Sequence, residues 1–186
     1  MEIIKDVPET DFKEFNSIVQ EYLPGTAYAE LSEMYKNAES VFAGVYLDGR
    51  LIGVCFGEGD MGGFGLVGIA VTDTYDKHGR GGQLLAYFES AVKAKGYTNV
   101  SVGSADGYVE RFYMKNGYKI ESLKVLTDNE DWKTKENPPL PISAVETQGK
   151  HTKIVFAGVN YETTDKDKLC AFFNGFERFY VLRKEL

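Results

Sequence analysis

Apolar residues along this chain recur at two spacings, and the changes between them mark its elements. Glu2 to Lys5 reads as a short strand. After Pro8, the residues Phe12, Phe15, Ile18 and Val19 fall on one side of a helix expected over Glu9 to Tyr22, which Pro24-Gly25 ends. A second helix, Thr26 to Lys36, would bury Leu31, Met34 and Tyr35. Two alternating runs, Val41 to Leu47 and Leu51 to Gly57, flank Asp48-Gly49 and predict a hairpin. Phe64 to Thr72 is the next strand. It leads through a polar turn into Gly79, Gly81 and Gly82 and then a helix carrying Leu84, Leu85 and Phe88, stopped at Gly96.

A second strand-to-helix unit follows, with Asn99 to Val102 as the strand and Val109 to Asn116 as the helix, which Gly117 stops. A strand then runs to Leu126. The stretch Thr127 to Lys150 is polar and carries Trp132, Pro138, Pro139 and Pro141, so it is expected as a long connection. Lys153 to Val159 reads as a strand, Asp165 to Asn174 as a helix stopped by Gly175, and Phe179 to Leu182 as a strand apolar on both faces, hence interior to a sheet.

The glycines between Val71 and Leu84 carry the first chemical signal. Glycine just before a helix opens backbone conformations closed to other residues, so consecutive N–H groups converge on an anion at the positive end of the helix dipole. No GxxxxGK[ST] occurs, which argues against a P-loop nucleotidase. Gly63, Gly65 and Gly68 spell GxGxxG, but they lead into a strand, whereas the dinucleotide fingerprint follows a strand and opens a helix.

The remaining pattern, Val71, Tyr75, Gly79-Arg80-Gly81 and Leu84-Leu85, resembles the core motif of the GNAT superfamily of acyl-CoA-dependent N-acyltransferases. Phe112 to Ile120, FYMKNGYKI, resembles the second block of that family. Asp76 stands where the family usually has Gln or Arg, and Arg80 where it usually has an aliphatic residue; Arg80, Lys77 and His78 offset the acid. The resemblance implies one domain over residues 1–186 in the α/β (α+β) class. Its central sheet would be mixed and mostly antiparallel with helices on both faces. Residues 127–175 would form a C-terminal strand-helix insertion before the last strand.

The same resemblance implies acetyl-CoA as co-substrate. Backbone groups of Ile69, Ala70 and Val71 would hold the pantetheine arm and thioester, and Lys77, His78, Gly79, Arg80, Gly81 and Gly82 would surround the pyrophosphate. Asp106 stands where relatives often place a CoA-contacting Asn, although a plain helix cap accounts for it equally. Tyr113 stands at the position that protonates the departing thiolate, a step its phenol, protonated at neutral pH, is suited to perform. Relatives often keep a general base on the strand entering the glycine loop. Gly63 to Val71 contains no acid, so Glu58 or Asp60 on the preceding turn is the nearest candidate.

Composition narrows the partners. The 186 residues carry 21 Lys and Arg against 28 Asp and Glu, a net charge of -7 without a basic cluster, which argues against nucleic acid and favours a cationic substrate. No apolar run approaches the ~18 residues that span a bilayer, and the first residues lack the pattern of a signal peptide, so a cytoplasmic protein without a membrane partner is expected. Cys55, Cys170, His78 and His151 have no paired ligand spacing, so no metal and no disulfide is expected. The reading is an N-acetyltransferase that moves an acetyl group directly to a primary amine of a small molecule, with a homodimer compatible. A peptide or protein amine as acceptor, and a non-catalytic acyl-CoA-binding domain, stay open as alternatives.

Overall fold

The structure is a computed structural model, and it describes residues 1–186 except 24, 26, 61, 73–78, 105, 106, 129–131, 134, 149 and 150. The chain divides into two compact units, Met1–Ser101 with Glu185–Leu186, and Val102–Lys184. In the first unit, β1 (Glu2–Asp6), a 3-10 turn (Glu9–Asp11), α1 (Phe12–Tyr22) and α2 (Tyr28–Lys36) precede β2 (Ser40–Leu47), β3 (Arg50–Asp60) and β4 (Gly63–Val71). Then come α3 (Arg80–Ala94) and the first half of β5 (Asn99–Ser104). The strands lie in the order β1-β2-β3-β4-β5 and are antiparallel except for the parallel β4–β5 pair.

Side-chain alternation explains how this sheet carries helices on both faces. Phe42 and Phe56 point to the α1 side, where Phe15 lies with ring centroids 5.2 Å and 5.5 Å away and Phe12 meets Tyr35 at 4.7 Å. Phe64 points to the other side and meets Phe88 of α3 edge-on at 5.6 Å. The hairpin expected at Asp48-Gly49 is present. Both residues take positive φ, 50° and 84°, the two-residue turn whose twist matches its strands. The first helix begins later than expected because Glu9 to Asp11 wind more tightly, and α2 begins at Tyr28 rather than Thr26.

The second unit holds the rest of β5, α4 (Gly107–Lys115), β6 (Lys119–Thr127), β7 (Ala144–Gln148), β8 (His151–Ala157), α5 (Lys166–Phe172) and most of β9 (Glu177–Glu185). Its strands lie in the order β9-β6-β8-β7, each pair antiparallel. The expected long connection therefore contains a strand. In β7, Ala144, Val145, Glu146 and Thr147 are all exposed, so the strand pairs through its backbone with no alternating pattern to reveal it. Tyr180 and Leu182 of β9 are buried while Phe179 and Val181 are half-buried, the two-sided cover expected of that run. Under β6 and β8, α5 buries Leu169 and Cys170, and Phe173 just beyond it meets Phe156 at 5.6 Å.

Candidate active site

The centre of the site is an irregularity in β4. Phe56 lies opposite Gly68 and Gly57 opposite Leu66, so Val67 is an extra residue without a partner on β3, a β-bulge. Gly57 permits it by close approach: a Cβ there would sit 2.1 Å from the carbonyl oxygen of Gly65. On its other edge β4 pairs with β5 only at Phe64–Val100 and Gly65–Ser101. Among the described residues of this unit, β4 from Leu66 to Val71 has no strand on that edge. Its backbone groups face outward as a ready partner for an extended, amide-bearing chain. Ile69, Ala70 and Val71, expected to hold the pantetheine arm, are half-buried on this stretch.

The helix that follows, α3, opens on glycine. Gly79 is its N-cap with φ 74°, a left-handed conformation that glycine adopts without strain. Arg80, Gly81 and Gly82 form the first turn, whose N–H groups have no helical acceptor, and no acid stands in that turn to compete with an anion. The Arg80 guanidinium is turned to β1, where Nε donates to Glu2 Oε2 at 2.8 Å. Lys77 and His78 lie outside the described residues, as do Asp76 and the CoA-contact candidate Asp106.

At the other end of β4 a cavity of ≈ 640 Å³ is lined by Glu58, Asp60, Ser101, the bulged Val67 and the glycines of the β3–β4 turn. Glu58 and Asp60 are exposed at its wall, and no cation lines it among the described residues. In the sequence Glu58 is marked only by its proximity to the motif; the cavity brings it to the same short stretch as Val67. Asp60 Oδ1 accepts from the Gly62 N–H at 2.7 Å, and Glu58 receives a long contact of 3.5 Å from Asn37 Nδ2. Leu23, from the connection after α1, closes over Gly68: a Cβ on that glycine would lie 2.7 Å from Leu23 Cδ1. Gly63, Gly65 and Gly68 thus serve this bulge and cavity and are no dinucleotide loop. Val67 and Ser101 were not legible as site residues. Six glycines within one strand pair, Gly57, Gly63, Gly65 and Gly68 among them, were the signal of a bulge.

In the second unit Tyr113 is 3% exposed on the inner face of α4, with its ring 5.3 Å from Phe112 and 5.4 Å from Tyr118. Neither thiol of the chain is poised as a nucleophile. Burial, and then the charge of Glu89, push Cys55 well above the ordinary thiol range, and burial pushes Cys170 up as well. No group of three or more potential metal ligands occurs among the described residues.

The open edge and bulge of β4 and the glycine-bearing start of α3 frame the candidate site. Residues 38–120 match the family model described as an acetyltransferase (GNAT) domain. Solved structures agree on the fold. An IAA acetyltransferase from Bacillus cereus ATCC 14579 is similar over all of both chains at 17% identity and TM-score 0.60. A GNAT family acetyltransferase from Elizabethkingia anophelis with acetyl-CoA bound covers 100% of this chain and 98% of its own, at 14% identity and TM-score 0.59. An aminoglycoside 6'-acetyltransferase type Ii covers 98% and 96%, at 18% identity and TM-score 0.60. No curated protein sequence matches the chain. Residues 38–120 are thus similar to a GNAT acetyltransferase domain. No helix among the described residues is long and apolar enough to cross a membrane.

Proposed function

We propose that this protein transfers an acetyl group from acetyl-CoA to a primary amine of a small molecule, directly and without a covalent enzyme intermediate. The observation that carries this is the bulge at Val67, which stands near the start of the open strand edge and also lines the acid-walled cavity. The open edge from Leu66 to Val71 suits the amides of a pantetheine arm, and the amides of Arg80 to Gly82 suit a pyrophosphate. The cavity walls, two carboxylates and glycine backbone, suit a cation.

Acyl transfer then needs three things from the chain. Glu58 accepts a proton from the ammonium group, leaving a neutral nitrogen to attack the thioester carbonyl. Backbone N–H groups on β4 beside the bulge stabilise the oxyanion of the tetrahedral intermediate. As the C–S bond breaks, Tyr113 donates its proton to the thiolate. With both cysteines held as thiols by burial, a covalent acyl-cysteine step has no suitable nucleophile.

Thiol release measured with acetyl-CoA and a panel of primary amines tests the reading. Stoichiometric free CoA and N-acetylated product are expected with small cationic amines. Tight acetyl-CoA binding without turnover of any amine in the panel, peptides included, would make the protein a binding module.

A further inference from the structure

Glu110 is fully buried on α4 and plays no part in the mechanism above. Its Oε1 accepts from Lys166 Nζ at 2.9 Å, while Oε2 is buried without a hydrogen-bond partner among the described residues. Placing a charge inside a protein is costly, and a half-satisfied buried carboxylate is a poor way to gain stability. Such a pair is better explained by what it fixes in place.

Two elements meet at this pair. Glu110 lies in the early part of α4, where the helix dipole favours a negative charge, and one turn before Tyr113 on the same buried face. Lys166 is the first residue of α5, directly after the N-cap Asp165, whose side chain accepts from the Lys168 N–H. The Lys166 ammonium also lies 5.4 Å from the ring centroid of Tyr180, and the Tyr180 hydroxyl donates to the carbonyl of Thr164 at 3.4 Å. The start of α5 is thereby tied to β9 and to α4 at once. The family match ends at residue 120, so Glu110 lies inside the matched region and Lys166 in the segment beyond it.

We propose that Glu110 and Lys166 are positioning residues. They hold α4 at a fixed depth against α5, so that the segment beyond the family match sets where the Tyr113 hydroxyl stands when it donates its proton. This rests on Tyr113 as the general acid, as proposed above. Glu110→Gln keeps the shape and one acceptor but removes the charge. Lys166→Met keeps the stem over Tyr180 but removes the ammonium, and Lys166→Arg keeps a cation.

The test is kcat under conditions where chemistry limits the rate, read in the Tyr113 and Tyr113→Phe backgrounds, with acetyl-CoA affinity measured alongside. Tyr113→Phe itself is expected to lower kcat by about 10²-fold, within the usual range for a general acid. Glu110→Gln and Lys166→Met should each lower kcat about tenfold, leave acetyl-CoA affinity unchanged, and lower it no further once Tyr113 is Phe. Lys166→Arg should restore most of the rate. If Glu110→Gln does not fold, Lys166→Met carries the same comparison, since Lys166 keeps 18% of its side chain exposed. Equal losses in both backgrounds, or no loss in either, would overturn the positioning role and leave Tyr113 as the acid. A Tyr113→Phe protein with unchanged kcat would instead remove the acid reading and the proposal with it.

Discussion

At the scale of single residues the site depends on groups whose worth comes from surroundings rather than identity. Gly81 has no side chain to offer, and its value is the half-buried amide in the first turn of α3. Gly81→Glu puts bulk and a negative charge where an anion is expected. Calorimetry should show acetyl-CoA affinity falling at least tenfold, and unchanged affinity in a folded variant would remove the loop from the cofactor site. Tyr180 gives a residue-scale test of packing. Burial, and then the charge of Glu110, push its phenol up to about 12, above the ordinary 10. A folded-state pKa above the unfolded one favours the neutral phenol in the fold. That contribution is whole below pH 10 and is lost as pH rises from 10 to 12, amounting to roughly 2–3 kcal/mol at about 1.36 kcal/mol per unit. Urea unfolding from pH 9 to 12 should show this decline, and Tyr180→Phe should flatten it; equal slopes in both proteins would contradict the assignment.

At the scale of elements, the bulge sets β4 apart from a strand that merely pairs, and the proposed reacting centre rests on it. Gly57→Ala would drive a methyl against the carbonyl oxygen of Gly65, a backbone atom with no rotamer to escape into. The cost should be about 1–3 kcal/mol of stability, as for other overpacked sites, with a fall in kcat as β3 and β4 shift. Thermal unfolding and turnover together check it, and a variant with wild-type Tm and kcat would show the bulge to be dispensable. The same elements show what sequence can carry. The Asp48-Gly49 hairpin, α3 and the glycines at its start were legible because each rests on local chemistry within a few residues. Val67 was not, since a bulge exists only relative to the register of β3, and β7 was hidden because its faces bear no apolar alternation. The Glu110–Lys166 pair joins residues 56 apart in sequence, and nothing local in either helix announces it.

At the scale of the whole molecule, the excess of acids acquires a direction only where it meets a cavity. A net charge of -7 spread over the surface says little, but two carboxylates at the wall of the cavity beside Val67, with no cation lining it among the described residues, place negative potential where the proposed amine would arrive. Glu58 and Asp60 are exposed, so their attraction acts through water and is screened by salt, with a Debye length of about 30 Å at 0.01 M and 3 Å at 1 M. The KM for a cationic amine should therefore rise several-fold between about 0.02 M and 0.5 M salt, through weaker capture rather than slower chemistry. Asp60→Asn removes one charge while leaving Glu58, the proposed base, in place, so it should raise KM at low salt, reduce its salt dependence and leave kcat nearly intact. An amine KM indifferent to salt in the parent protein, or equally salt-dependent in Asp60→Asn, would mean that the acceptor reaches the bulge by a route that does not pass these carboxylates.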